Sequence, residues 1–206
     1  RLMVDVLPTL LSDPAVWVIH GTGKRLRGNA YDGMADVKAR TQKVSGLPEG
    51  WEQRVLRKDF FHDMGTYYAA SDVVVCRAGA GSLNEVCAYG VAAVTIPKAN
   101  LPGDHQACNA RVMERLGAAS VVYERVAVES LESEGAIESV DPEALMAVLG
   151  PLLEAPEARE AMCQKARDLY DPGTNGRIAD WLEHMLGFRG EPEPPGLPVL
   201  EAERVL

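Results

Sequence analysis

The sequence predicts an α/β fold, a doubly wound Rossmann-like parallel sheet with helices on both faces. Short apolar, β-branched runs such as residues 73–76 have the composition of buried parallel strands. Segments with apolar residues at helical spacing separate these runs along the chain. Residues 71–97 combine a strand, a small-residue turn, a helix and a second strand in about the length that a right-handed βαβ crossover needs.

The composition limits the size, the compartment and the partners of the protein. The chain has 206 residues, 47% of them hydrophobic, which is enough to bury one sizeable core. The formal net charge of −9 argues against a nucleic-acid-binding surface. Because no apolar run is as long as a membrane span and no signal peptide precedes the first strand, we expect a cytoplasmic protein. The four scattered cysteines are typical of small buried thiols in a reducing compartment.

The first third of the chain alternates helices and strands. Residues 2–11 have helical spacing up to a Ser-Asp-Pro stop, and residues 16–20 form an apolar strand. Residues 25–52 are interpreted as a surface insertion around a helix at 32–43, because loop-forming residues dominate the rest of it. Residues 54–57 are predicted to form a short strand.

A short helix is predicted before the central strand. Asp63 is expected to cap it, and the helix is expected to run to Ala70. Met64, Tyr67 and Tyr68 are interpreted as core side chains of this helix.

The second half continues the alternation and then becomes helical. Its predicted elements are a strand at 94–97, a helix at 104–116, a strand within 117–123, a charged loop with partial helix at 125–140, and helices at 141–153, 156–169 and 175–186. Asp104 and Asp141 stand where side chains cap helix N-termini, and Pro142 suits a first helical turn. We expect one domain over 1–187 and an extended or disordered Pro/Glu-rich tail over 188–206.

Two glycine-containing turns are candidates for phosphate binding. The first, residues 21–24 after His20, lacks the spacing of a Walker motif, so a Walker-type NTPase is not supported. The second contains Gly79 and Gly81 before a helix that Ser82 is predicted to open. Small residues let a ligand approach the backbone, and a helix N-terminus favours a phosphate. The glycines are equally compatible with a simple tight turn.

Polar side chains near two helix starts are candidates for binding hydroxyl groups. Glu85 lies one turn into the helix after the glycines, where its carboxylate could accept hydrogen bonds from a ribose. Ser82 and Glu85 also have the S-x-x-E spacing of a capping box, and the spacing fits both interpretations. Gln106 and Asn109 share a helix face, where their amides could bind a sugar, although a solvated face is the simpler interpretation.

Several ordered motifs together resemble glycosyltransferase family 28, a group of GT-B enzymes that includes the bacterial UDP-GlcNAc transferases of lipid II synthesis. The motifs are VIHGTGK at 18–24, FFHDM at 60–64, YYAASDVVVCRAGAGS at 67–82 with Glu85, DHQ at 104–106 with Asn109, and GAA at 117–119. The resemblance covers roughly residues 1–187. It corresponds to the C-terminal, donor-binding half of the family's fold only.

The resemblance implies a UDP-GlcNAc site at the carboxyl ends of the strands, as the crevice rule for open α/β sheets also expects. The implied donor-binding residues are Phe61, Arg77, Gly79, Gly81, Ser82, Glu85, His105, Gln106 and Asn109. Glu85 would take the ribose hydroxyls, whereas Gly81 and Ser82 would face the diphosphate. The backbone around Phe61 would meet the uracil edge. The last three residues would hold the N-acetylglucosamine.

The resemblance implies an inverting transfer of GlcNAc from UDP to lipid I, giving lipid II, by an enzyme peripheral to the cytoplasmic face of the cell membrane. No D-x-D-like pair lies beside the donor motif, so we expect neither a metal nor another cofactor. The family's acceptor domain, its base and its first strand are expected to precede Arg1. No catalytic residue is therefore assigned in this half, and we expect the chain alone to bind donor without turnover.

Other functions are compatible with the same motifs. The chain could be one subunit of a split UDP-GlcNAc transferase, like one half of the two-chain eukaryotic enzyme, or a non-catalytic nucleotide-sugar-binding module. A UDP-sugar epimerase shares the GT-B fold but needs paired acid and base residues that this sequence does not offer.

Overall fold

The computed structural model describes residues 2–23, 31–99, 102–128 and 136–188. Its helices are α1 (Leu2–Asp5), α2 (Leu7–Leu11), α3 (Gly33–Thr41), α4 (Met64–Ala69), α5 (Ala80–Tyr89), α6 (His105–Arg115), α7 (Pro142–Glu154), α8 (Pro156–Leu169) and α9 (Thr174–Met185). Its strands are β1 (Val18–Gly21), β2 (Val55–Lys58), β3 (Val73–Cys76), β4 (Ala92–Thr95), β5 (Ser120–Val121), β6 (Arg125–Val128) and β7 (Ala136–Ser139). Residues 24–30, in the predicted first glycine turn and insertion, and 189–206, in the predicted tail, lie outside these ranges.

Parallel strands dominate the sheets. β1 pairs with β2, and β3, β4 and β5 form a second sheet in that order, all in parallel. The central register places Cys76 opposite Thr95, so β3 and β4 end side by side. The predicted α/β class with helix-flanked parallel strands is confirmed. The parallel strands form two sheets rather than one. Within the described ranges, neither β1 nor β2 pairs with a strand of the sheet β3–β4–β5.

Both faces of the sheet β3–β4–β5 are covered by helices. Alternate residues of a strand point to opposite faces. On one face Val74 and Ala93 pack with residues of α5, α6 and α8. On the other face Val75 and Val94 pack with α2, α7 and Val18 of β1. The sheet thus lies between two helical layers, and β3 and β4 end side by side at one edge of it.

Two predicted elements differ from the structure. The first helix divides into α1 and α2, because Pro8 lacks the N–H that would continue it and instead occupies the first turn of a new helix. The predicted loop at 125–140 contains the antiparallel pair β6–β7 instead. Its Val126, Val128 and Ile137 are β-branched, and residues of this type favour strands.

The helix caps follow the sequence in two of three cases. Asp63 accepts a hydrogen bond from the Thr66 amide, and Asp141 accepts one from the Glu143 amide, as predicted. Asp104 stands at the N-cap of α6, but its φ is +47° and its side chain makes no capping hydrogen bond. Its predicted capping role is wrong, because the left-handed backbone does not present the carboxylate to the first helical amides.

Two side chains predicted to be buried are exposed. Met64 is 39% exposed, because α4 has only six residues and makes its buried contact at Tyr68. Cys108 is also exposed, whereas Cys87 is buried. On α6 the buried residues are Ala110 and Met113, and a residue two positions before Ala110 lies on the opposite side of a helix.

Candidate functional site

The candidate site lies at the carboxyl ends of β3 and β4. The segment 77–79 leaves β3 there and leads into α5, and the segment 96–99 leaves β4 and leads towards α6. Both helices therefore begin at the same edge of the sheet. In an open α/β sheet this edge is where ligands bind.

The N-terminus of α5 presents backbone amides beside open space. Gly79 is the N-cap, with φ −71° and ψ 144°, and the first intrahelical bond runs from the Leu83 amide to its carbonyl. The preceding amides have no partner within the helix. A Cβ added at Gly79 or Gly81 would meet no atom within 4 Å. Neither backbone strain nor packing therefore requires these glycines, and their small size keeps the space at the helix end accessible.

The structure excludes one of the two interpretations of Ser82, the capping box. The helix begins two residues before Ser82, at Ala80, so Ser82 lies within the first turn and is not the N-cap. The capping box of Ser82 and Glu85 is wrong for this reason, and so is the predicted helix start. The side chain of Ser82 is half-buried at the same helix end as the two glycines.

Glu85 is exposed on α5 and contacts a buried tyrosine. The Tyr68 hydroxyl donates a hydrogen bond of 2.9 Å to its Oε2. Burial, together with this hydrogen bond and the carboxylate charge, raises the pKa of Tyr68 above its usual value. Burial and then the charge of Glu85 raise the pKa of the Cys76 thiol, at the end of β3, to about 11. The carboxylate therefore lies near the end of β3.

Two predicted sugar-binding residues tie α6 to the loops of the site. The side-chain carbonyl of Gln106 accepts a hydrogen bond of 2.9 Å from the Lys98 amide. The Asn109 amide donates one of 3.2 Å to the carbonyl of Ala78. His105, the first residue of α6, is exposed at the same helix end. The structure thus places all three predicted residues beside the loops that follow β3 and β4.

Arg77 is held by a carboxylate that the sequence analysis missed. Its Nη1 donates to Glu124 Oε1 at 2.6 Å and to the carbonyl of Ile96 at 3.2 Å. The other oxygen of Glu124 accepts from the Ala99 amide at 2.8 Å, and the Glu124 side chain is only 4% exposed. Glu124 thereby joins the ends of β3 and β4. The sequence does place an acidic residue, Glu124, directly after an apolar strand. It was not singled out because a charged segment follows it.

Phe61 lies after the carboxyl end of β2, in the two-stranded parallel sheet. It follows β2, is buried, and packs against Tyr67 with ring centroids 4.4 Å apart. Lys58, the last residue of β2, donates to the Tyr67 hydroxyl at 2.8 Å. Because Tyr67 contacts Phe61 and the next residue contacts Glu85, α4 connects the two parts of the candidate site.

Two other features, a metal-binding cluster and a membrane-spanning helix, are not found among the described residues. Within these ranges no group of three or more histidine, cysteine, aspartate or glutamate side chains could hold a metal ion. The helices of the same ranges include none that is long and apolar enough to cross a membrane.

The sequence that forms this site matches a known protein family. The C-terminal domain of glycosyltransferase family 28 matches residues 26–166, a range that includes β2 to β5 and the loops of the site. The chain belongs to glycosyltransferase family 28.

Two relatives of this family 28 chain share a name. A Xanthomonas campestris protein named UDP-N-acetylglucosamine–N-acetylmuramyl-(pentapeptide) pyrophosphoryl-undecaprenol N-acetylglucosamine transferase is 36% identical over 91% of this chain and 38% of its own length. A Xylella fastidiosa protein of the same name is 37% identical over 82% of this chain and 40% of its own length. The chain thus spans about two fifths of the length of these curated relatives.

Solved structures show the fold of this family 28 chain. MurG of Acinetobacter baumannii superposes with a TM-score of 0.63 at 24% identity, over 89% of this chain and 46% of that one. MnaA of S. aureus with UDP superposes with a TM-score of 0.62 at 10% identity, over 95% of this chain and 44% of that one. These likenesses support the α/β fold with flanked parallel sheets.

Proposed function

We propose that this chain is the donor-binding half of an inverting glycosyltransferase that moves GlcNAc from UDP-GlcNAc to lipid I and forms lipid II. The observation that carries the proposal is the meeting of the α5 N-terminus, Arg77, Glu85 and the start of α6 at one sheet edge. Membership of family 28 and the shared name of the relatives support the reaction.

The donor is assigned along this edge. The amides at Gly81 and Ser82 take the diphosphate, because a helix N-terminus carries partial positive charge and free N–H groups. Arg77 uses only Nη1 within the described residues, so Nε and Nη2 remain as donors for phosphate oxygens. Glu85 takes the ribose, and the backbone around Phe61 takes the uracil edge. The start of α6 takes the N-acetylglucosamine.

The chemistry requires an activated acceptor hydroxyl and a stabilised leaving group. In this proposal the acceptor, its base and the membrane contact belong to the N-terminal half of the complete enzyme, and this half binds and stabilises UDP. Since backbone amides and Arg77 supply the positive charge, UDP binding is expected to be unchanged by EDTA. An EDTA-sensitive affinity would contradict the absence of a metal.

The biological setting follows from the proposed reaction. Lipid I is membrane-linked, so the complete enzyme would act peripherally at the cytoplasmic face of the cell membrane. Its product serves peptidoglycan synthesis, and through it cell-wall growth, cell shape and cell division. UDP-GlcNAc and lipid I are its proposed partners.

Calorimetric titration tests the donor site. UDP-GlcNAc, UDP-glucose and UDP are titrated into the protein, into Glu85→Ala and into a control, Glu157→Ala. Glu157 is the second residue of α8, whose Arg159 lies 3.8 Å from Asp72 at the amino end of β3, away from the site. We expect a preference for UDP-GlcNAc and a loss of roughly tenfold or more in affinity for Glu85→Ala alone, as for a lost charged hydrogen bond.

The outcomes separate the candidate functions. If none of the three ligands binds, the donor site is contradicted. Binding by the chain, with lipid II formed only when an N-terminal half is added, would support the half-enzyme. Donor binding without transfer even then would favour a non-catalytic nucleotide-sugar-binding module.

A further inference from the structure

We propose that Tyr68 is a positioning residue that sets the orientation of the Glu85 carboxylate for the ribose of the donor; this inference rests on the proposed function. Tyr68 itself does not contact the donor in this proposal. It acts through Glu85, and its effect is confined to recognition of the ribose hydroxyls.

The contact fixes one oxygen of the carboxylate and leaves the other available. Glu85 Oε2 accepts the Tyr68 hydroxyl at 2.9 Å, and Oε1 has no hydrogen-bond partner among the described residues. A ribose offers two adjacent hydroxyl donors. A carboxylate whose plane is already fixed can accept from them without first losing its rotational freedom.

The tyrosine ring is itself held in place. Tyr68 is 5% exposed and belongs to the core cluster with Leu83 and Val86 of α5, the helix that carries Glu85. Its ring stacks on Tyr89, with centroids 5.4 Å apart and planes 10° apart. A Cβ at Gly65 would overlap the Tyr89 hydroxyl, so glycine in α4 is what lets Tyr89 lie in this position.

The buried phenol can serve as a permanent donor. Burial and the neighbouring carboxylate raise the pKa of Tyr68, so the hydroxyl keeps its proton at physiological pH. A phenylalanine would satisfy the core equally well, because hydrophobic packing needs only the ring. The hydroxyl therefore has a use beyond packing, and Glu85 is its hydrogen-bond partner in this structure.

The test compares affinities for UDP and 2′,3′-dideoxy-UDP, which lacks both ribose hydroxyls. We expect the protein to prefer UDP by roughly tenfold, as for a hydrogen bond to a charged group. Tyr68→Phe keeps the ring and is expected to reduce this preference to about threefold or less, with 2′,3′-dideoxy-UDP affinity unchanged. Tyr89→Phe is the matched control in the same ring pair, and it should keep the full preference.

Each outcome has one meaning. If UDP is preferred and Tyr68→Phe keeps that preference, or loses affinity for both ligands equally, Tyr68 is not a positioning residue, although the donor site stands. If Glu85→Gln keeps the preference, the ribose assignment of Glu85 fails, and the inference fails with it. If the protein binds neither ligand, the proposed function fails. Loss of the preference in both Tyr68→Phe and Glu85→Gln, but not in Tyr89→Phe, supports the proposal.

Discussion

The ion pair of Arg77 and Glu124 is asymmetric, because the Arg77 side chain is half exposed and that of Glu124 is buried. Removing the arginine leaves a buried carboxylate without its counter-charge, whereas removing the charge of Glu124 leaves an arginine that water can solvate. Leaving Glu124 charged and unpaired therefore costs more free energy than leaving Arg77 unpaired.

We expect Arg77→Met to lower the free energy of unfolding by about 2 kcal/mol and Glu124→Gln by about 1 kcal/mol. The double variant should resemble Glu124→Gln, because no buried charge then remains to be neutralised. Urea unfolding of all four proteins measures the coupling. Additive effects of the two substitutions would show that the pair is not coupled.

A second residue-level prediction concerns His20. Burial, and then the charge of Arg57 on the paired strand, lowers its pKa from 6.5 to about 4. Between these values the unfolded chain binds a proton that the folded chain does not. The free energy of unfolding should therefore decrease as the pH falls from about 6.5 to 4, by about 2 kcal/mol after allowance for partial exposure.

Urea unfolding at pH 4.5 and pH 7 tests this, with His20→Gln as the comparison. The variant should lose less stability on acidification than the unsubstituted protein. An equal loss in both proteins would mean that His20 does not contribute to the pH dependence.

At the scale of the element, Gly81 is expected to lower the stability of α5 and to leave space for the diphosphate at its N-terminus. Glycine in a helix is less favourable than alanine by roughly 0.5–1 kcal/mol, and a Cβ at Gly81 would meet no neighbouring atom. Gly81→Ala should therefore raise the free energy of unfolding by about 0.5 kcal/mol, yet weaken UDP binding, because the methyl group enters the space assigned to the diphosphate.

Gly176→Ala in α9 is the matched control, since a Cβ there also meets nothing within 4 Å. It should gain similar stability and leave UDP binding unchanged. Thermal melting and UDP titration of both variants give the two quantities. Unaltered UDP affinity in Gly81→Ala would remove the diphosphate from this helix end.

For the whole molecule, α7 connects the elements on one face of the fold. Leu145 is completely buried in the cluster that joins α2, β1, β4 and α7. We expect Leu145→Ala to lower the free energy of unfolding by about 3 kcal/mol, because it leaves a cavity. Leu182→Ala, at an exposed position of α9, should change it by less than about 0.5 kcal/mol in urea unfolding. Similar losses in the two variants would contradict this account of the core.

Much of the local structure follows from sequence patterns. The strand at 73–76 and the helix at 156–169 have the predicted bounds, because β-branched runs and helical spacing are local signals. The hairpin β6–β7 was missed, since antiparallel pairing joins residues that charge patterns alone do not relate. The site contacts of Tyr68 and Glu124 were missed because each spans more than fifteen residues of chain.

The sequence by itself determined the fold class, the family and the candidate donor-binding residues, because ordered motifs and periodicity lie along the chain. Only the tertiary structure decided that Ser82 lies inside a helix, and that Tyr68 and Glu124 contact Glu85 and Arg77. Helix starts depend on backbone angles, and these two contacts depend on how distant elements pack. Neither is encoded in residue spacing.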